Sequence, residues 1–481
     1  MKMQFEYGEG MLEADLPDDR TDTFVPGETV SDPPALGDPV ASTREALANP
    51  LGAQPLAEQV KRGDTVCIVF PDRVKGGTHE TAHRKVSIPL VLDELSRGGV
   101  ERKDITFVCS NGLHRKNRPE EIRAILGEKV YAEFSELNNI SNHDSEDWDN
   151  LVDLGYDDDN NRVIMNRQVF EADHVVMLGH ALGNPYGGYS GGYKHCATGI
   201  VHWTTIATNH NPHVMHACDF TPVSSTSTMR GKFDSIGRHM EKKMGKKFFS
   251  IDAALNTTGR QMIVAAGDTA KVQEATWQVA NKRTYVPWAK QKYDIMLFGL
   301  PQSFHYGDGH GTNPILILQA IAANVIRHRR VMNENFVIIA SSLCNGYFHD
   351  AEFGGAYRAL YEAFQREGHC DLPDVERYDR YFCSNSEYVR EYRFNYAFHP
   401  YHCFSMVSCG HIAHMHAAKV YLVGAREPGY ARGMEMKPVK TFEDAFADAR
   451  RYIGRTPRIL ALPRTFRTAG VHLMMEGDSY T

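Results

Sequence analysis

TVCIVFPD (65–72) is apolar without a break until it closes on an aspartate, and ITFVCSNG (105–112) and HVVMLGH (174–180) repeat the pattern further along. Helical patterns over about 84–98 and 119–127 separate them. A half-exposed strand would alternate apolar and polar residues, so unbroken runs mark strands buried on both faces, and runs interleaved with helices build a parallel sheet. A second series begins at YDIMLFGLP (293–301) and continues through NFVIIASSL (335–343), KVYLVG (419–424) and RILALP (458–463). The fold expected is α/β, with two α/β domains of mainly parallel sheet. They span 1–289 and 290–481, with a boundary near 285–292 and the final residues packing back on the first domain. Residues 25–60, rich in Pro, Ala and Gly, read as an extended arm leading to a first helix.

At 481 residues the chain exceeds what one hydrophobic core usually supports, which agrees with two domains. A formal net charge of -7 argues against a nucleic-acid or anionic-membrane surface, because both call for basic patches. Small molecules are the expected partners. Nine cysteines without a C-x-x-C pair fit neither a disulfide framework nor a zinc ribbon, and Cys67 and Cys109 sit inside apolar runs. The N-terminus lacks a signal-peptide core and no apolar run of membrane-spanning length occurs. A cytoplasmic location is expected.

Open α/β sheets bind ligands beyond the carboxyl ends of their strands. Asp72, Arg73 and Lys75 follow the first run, His114 and Arg115 follow the second, and His180 closes the third. The active site is therefore expected where these ends meet, in a cleft between the two domains. His114 is placed to exchange a proton near neutral pH; on residues alone, a loop histidine bonded to the backbone is an equal reading. Lys194 lies in GGYSGGYKHCATGIVHWTTIATNH (187–210), with Gly187, Gly188, Gly191 and Gly192 before it and His210 after it. This is no P-loop, since Tyr193 and His195 flank the lysine. Either the glycines form a tight turn with a solvated lysine, or the backbone makes room for a cofactor that Lys194 reaches. His195, His202, His210, His213 and His216 lack the H-E-x-x-H pattern of a zinc hydrolase. FHYGDGHGTNP (304–314) reads as a turn before a helix.

GYSGGYK (188–194) with NH (209–210), GLHR (112–115) and the Asp with basic residues at 72–75 resemble the lactate racemase family of nickel-pincer enzymes. Weaker similarity runs through FFSIDAALNTTGRQMIVAAGD (248–268) into the second half. The resemblance implies an isomerase that inverts C2 of a 2-hydroxy acid by hydride transfer through a 2-keto intermediate. It implies nickel held in a pyridinium-3,5-bisthiocarboxylic acid mononucleotide, the nickel-pincer nucleotide, which cofactor-synthesis enzymes must supply. Lys194 is then the tether and His210 the metal ligand, with Asp72, Arg73, Gly191 and Gly192 against the cofactor. His114 is one acid/base group, and Lys75, Arg115, Asn184 and Gln319 contact the substrate. Asn184 stands where the family has its second histidine, so His180 is the candidate replacement. Ala322 stands where the family has a lysine three residues after the position of Gln319. These departures point to a polar or sugar acid, which makes the reaction an epimerisation. Two alternatives are a non-catalytic nickel or cofactor carrier and a pyridoxal-phosphate racemase with Lys194 as Schiff base.

Overall fold

The computed structural model describes residues 1–184, 186, 188–217, 227–367, 372–467 and 470–479. The three apolar runs of the first half form adjacent strands. The order in this six-stranded sheet is Gln261–Asp268, Phe248–Leu255, His174–Ala181, Val66–Pro71, Ile105–Ser110 and Ile140–Asn142, parallel except for the first. Both faces are covered, as the unbroken runs require. Ile68, Phe70 and Phe107 pack with Leu92 and Leu95 of the helix His83–Arg97, while Cys67, Val69 and Val108 turn to the opposite core with Tyr193 and Cys196. Each large aliphatic or aromatic side chain buried this way contributes about 1.5–3 kcal/mol. The helix Pro119–Leu126 opens on proline at its first position and stops at Gly127, whose φ is +85°.

The second sheet follows the order Gly10–Asp15, Lys2–Gly8, Tyr293–Pro301, Met332–Ser341, Lys419–Val423 and Lys437–Val439. Ile459–Leu462 also lies beside Tyr293–Pro301, and Thr21–Thr23 beside Ile459–Leu462. Pairing is parallel apart from the N-terminal hairpin. All four runs read in the second half are strands of this sheet, and the α/β class holds.

Two details differ from the sequence reading. Residues 2–23, expected with the first domain, supply strands to the second sheet. The segment 25–60 is not one extended arm, because it contains the helix Pro39–Ala48, capped by Asp38, and the short helix Leu56–Gln59. Near the chain end, His472–Met475 pairs with Tyr285–Ala289. The helices Pro314–His328 and Tyr401–His416 are buried along almost their whole length and pack on each other. Among the described residues, seven cysteines are buried and free, and no helix is long and apolar enough to cross a membrane.

Candidate active site

Asp72 is the first residue beyond the strand Val66–Pro71 and is almost wholly buried. His114 follows Ile105–Ser110 on a turn that needs glycine at 112. There φ is +54°, a Cβ would run into the Thr198 carbonyl, and the Gly112 N–H donates to Gly199 O at 3.0 Å. The His114 turn is thereby fastened to the end of the helix Tyr193–Gly199, which carries Lys194. His114 Nδ1 lies 2.6 Å from Asp72 Oδ2. Burial by itself would raise the Asp72 carboxyl, but His114, Lys75 and Arg73 outweigh it and hold it down to about 2. An ionised Asp72 accepts the Nδ1 proton, which leaves the His114 Nε2 lone pair as the basic site.

The glycines before Lys194 have a different cause from the one expected. Gly191 and Gly192 have φ of +78° and +52°. A Cβ on Gly191 would meet the Asp252 carboxylate, and one on Gly192 the Gln273 side chain. Asp252 accepts from Gly192 N at 2.8 Å and Gln273 from Tyr193 N at 2.8 Å. The glycines thus let two buried side chains grip the first turn of the helix. Arg230 ties the same assembly together by donating to Gln273 and to Tyr189 O. Gly191 also lines the cavity described below; Gly192 does not.

Lys194 is buried, and its Nζ lies 5.3 Å from the centre of the Phe233 ring without a hydrogen bond or ion pair among the described residues. Burial, with Lys75 and Arg230 nearby, pushes its amine well below the ordinary lysine range. A neutral amine is a nucleophile, as a covalent tether requires. His210 hydrogen-bonds through Nδ1 to Asn209 Oδ1, so the proton sits on Nδ1 and Nε2 keeps its lone pair. This is how a metal-binding imidazole is normally oriented.

A cavity of about 600 Å³ collects Asp72, Lys75, His114, His180, Gly191, Lys194, His210 and Gln319. Arg73, Arg115 and Gly192 are outside its lining. Arg115 is held by Glu121, at 2.6 and 2.8 Å, and by Glu352 at 3.1 Å, and Arg73 donates to Tyr306 O at 3.0 Å beside the same two glutamates. Both arginines brace the loops rather than face a ligand. Gln319 accepts from His310 Nε2 at 3.1 Å. Asn184 pairs through its backbone with Gly188; its side chain lies outside the described residues.

His195, His305, Tyr306, His310, Arg327 and His402 complete the polar wall. His305, Tyr306 and His310 come from FHYGDGHGTNP, whose histidines beyond a strand end were the available signal; His402 and Arg327 sit in helices with none. Asp72 is the only carboxylate of the lining among the described residues, against Lys75, Lys194, Arg327 and Arg467. The cavity therefore favours anions.

The donor set fits the nickel-pincer group. Among the described residues, no cluster of three or more His, Cys, Asp or Glu is arranged to hold a metal by itself. His210 offers one imidazole nitrogen, and a cofactor that brings its own sulfur and carbon donors needs only that.

Residues 7–220 match the family model described as Lactate racemase N-terminal domain. The lactate racemase of Thermoanaerobacterium thermosaccharolyticum is 25% identical over 208 residues, 43% of this chain and 46% of that protein. That of Lactiplantibacillus plantarum is 24% identical over 248 residues, 51% of this chain and 55% of that protein. The chain thus matches about half the length of these curated relatives. Among solved structures, the lactate racemase apoprotein from T. thermosaccharolyticum aligns with a TM-score of 0.69 at 18% identity, covering 98% of this chain and 100% of that one. A Thermotoga maritima protein aligns at 0.55 with 12% identity, covering 91% and 99%. At these identities the structural likeness establishes the fold.

Proposed function

Because the chain belongs to the lactate racemase family through residues 7–220, we propose that it is a racemase or epimerase that inverts C2 of a 2-hydroxy acid with a nickel-pincer nucleotide. The observation that carries the reading is the convergence of Lys194, His210 and the Asp72–His114 pair on one cation-rich cavity. When bound, the cofactor supplies a hydride acceptor, the one function that no side chain can provide. Lys194 tethers it through its amine, and His210 Nε2 is the protein's ligand to nickel. Lys75 holds the substrate carboxylate. His114 Nε2 takes the C2 hydroxyl proton, and the resulting imidazolium is stabilised by Asp72. Asn111 Oδ1 and Ser405 Oγ line the cavity without a partner among the described residues and could receive further hydroxyls, which supports a polar or sugar acid over lactate.

The domain division near 285–292, a site between the two units and a cytoplasmic location supplied by cofactor-synthesis enzymes belong to the same proposal. A pyridoxal-phosphate site lacks support, since Asp72, the one lining carboxylate among the described residues, is committed to His114. The test is intact-mass and metal analysis of protein made together with the cofactor-synthesis enzymes. The reading predicts an adduct lost in Lys194→Ala and nickel lost in His210→Ala; full loading of both variants would contradict it.

A further inference from the structure

Asn184 has no group that titrates near neutral pH, so inversion through a planar keto acid leaves one face without a proton-transfer group if His114 serves the other. The remaining cavity histidines differ in what their nitrogens already do. His195 is bonded to Ser110, and His210 to Asn209. His310 accepts from Tyr306 N at 3.3 Å and reaches Gln319 through its other nitrogen, while His402 Nδ1 lies 2.6 Å from the Tyr357 hydroxyl. His180 is almost wholly buried, and its Nε2 is sealed without a partner.

His305 is unlike all of these. It lines the cavity with an exposed side chain, and its ring has no hydrogen bond among the described residues. It follows the strand Tyr293–Pro301 of the second sheet, whereas His114 follows a strand of the first. Its φ of +30° lies in the left-handed region, which costs a non-glycine residue roughly 1–3 kcal/mol and recurs where a side chain is held for function. The Tyr306 ring touches both histidines, with centroids 4.4 Å from His305 and 5.4 Å from His114. With neither ring nitrogen bonded among the described residues, the imidazole has a lone pair free to accept a proton.

We propose that His305 is the second proton-transfer residue of this site, serving the antipode whose hydroxyl faces away from His114. The inference rests on the racemase reading above. As the hydroxyl proton passes to the imidazole, the O–H electron pair becomes the second C–O bond of the keto acid; the C2 hydrogen would leave with its own pair, for which the bound cofactor would supply the acceptor. The return step reverses each transfer.

Two measurements test it. In the full-length protein, diethyl pyrocarbonate followed by peptide mapping should acylate His305 ahead of His310, whose two nitrogens are engaged, and of His402, which is buried with Nδ1 engaged; the reverse order would overturn the assignment. In loaded enzyme, single-turnover formation of keto acid is followed from each antipode separately. His305→Asn, a residue that tolerates positive φ, should lose about 10²–10⁴-fold from one antipode only, and His114→Asn from the other. His305→Gln guards against a folding defect by giving the same split. Equal effects on both antipodes, or none, would overturn the role of His305 while leaving the racemase reading intact. Absence of keto acid in the wild type from every 2-hydroxy acid tried would overturn both.

Discussion

His114 Nδ1 sits 2.6 Å from Asp72 Oδ2, and that contact sets which nitrogen of the imidazole is basic. Asp72→Asn keeps the shape but no longer enforces the Nδ1 proton. Turnover is expected to fall by about 10²–10⁴-fold with nickel loading unchanged. The same carboxyl titrates lower in the folded chain, at about 2 against 3.8. Its stabilisation is therefore complete above about pH 4 and is lost as pH falls toward 2. Urea titrations across that window should show a steeper loss in the wild type than in the variant.

Asp252 carries the opposite sign. Burial raises its carboxyl to about 6, against the pull of the Gly192 N–H and Arg230. A raised folded value means its contribution is fully present below about pH 4 and is lost as pH rises through 6. Asp252→Asn should remove that decline and be the more stable protein at pH 8 by calorimetry. A variant less stable than wild type at pH 8 would mean that the ionised hydrogen bond to Gly192 outweighs desolvation.

Gly192→Ala places a Cβ against Gln273 at a φ of +52°. A loss of about 1–3 kcal/mol in chemical unfolding is expected. Cofactor attachment should fall as well, because the turn that presents Lys194 shifts.

Arg115 and Lys75 should separate stability from binding. Arg115→Ala leaves Glu121 and Glu352 with the longer Arg73 contacts of 3.6 Å and is expected to cost about 1–3 kcal/mol with KM near normal. Lys75→Ala should do the reverse, raising KM while the melting temperature changes little.

Seven strands, three of the first sheet and four of the second, were legible because burial on both faces leaves an apolar run, and the residues at the carboxyl ends of the first three are among those that meet. Asp72, Lys75, His114 and His180 were placed this way, Lys194 by the glycines before it and His210 by the family resemblance, and all six line the cavity. Arg73 and Arg115, expected at the cofactor and the substrate, lie outside the lining, and sequence adjacency does not reveal partners distant in the chain such as Glu352. The glycines at 191 and 192 signal a close approach without saying to what, and the neighbours proved to be Asp252 and Gln273. His402 was invisible because a histidine in a buried helix carries no local mark. The pairing of residues 2–23 with the second sheet depends on contacts about 290 residues apart, which no local pattern encodes.

The central claim is inversion at C2 with the hydrogen carried as hydride. The direct measurement starts from one antipode of a C2-deuterated 2-hydroxy acid in ordinary water, with protein loaded at stoichiometric nickel. The account predicts that the opposite C2 configuration appears while deuterium remains at C2 of both forms. Inversion accompanied by deuterium washout would contradict it, as would the absence of inversion across a panel of lactate, polar and sugar acids.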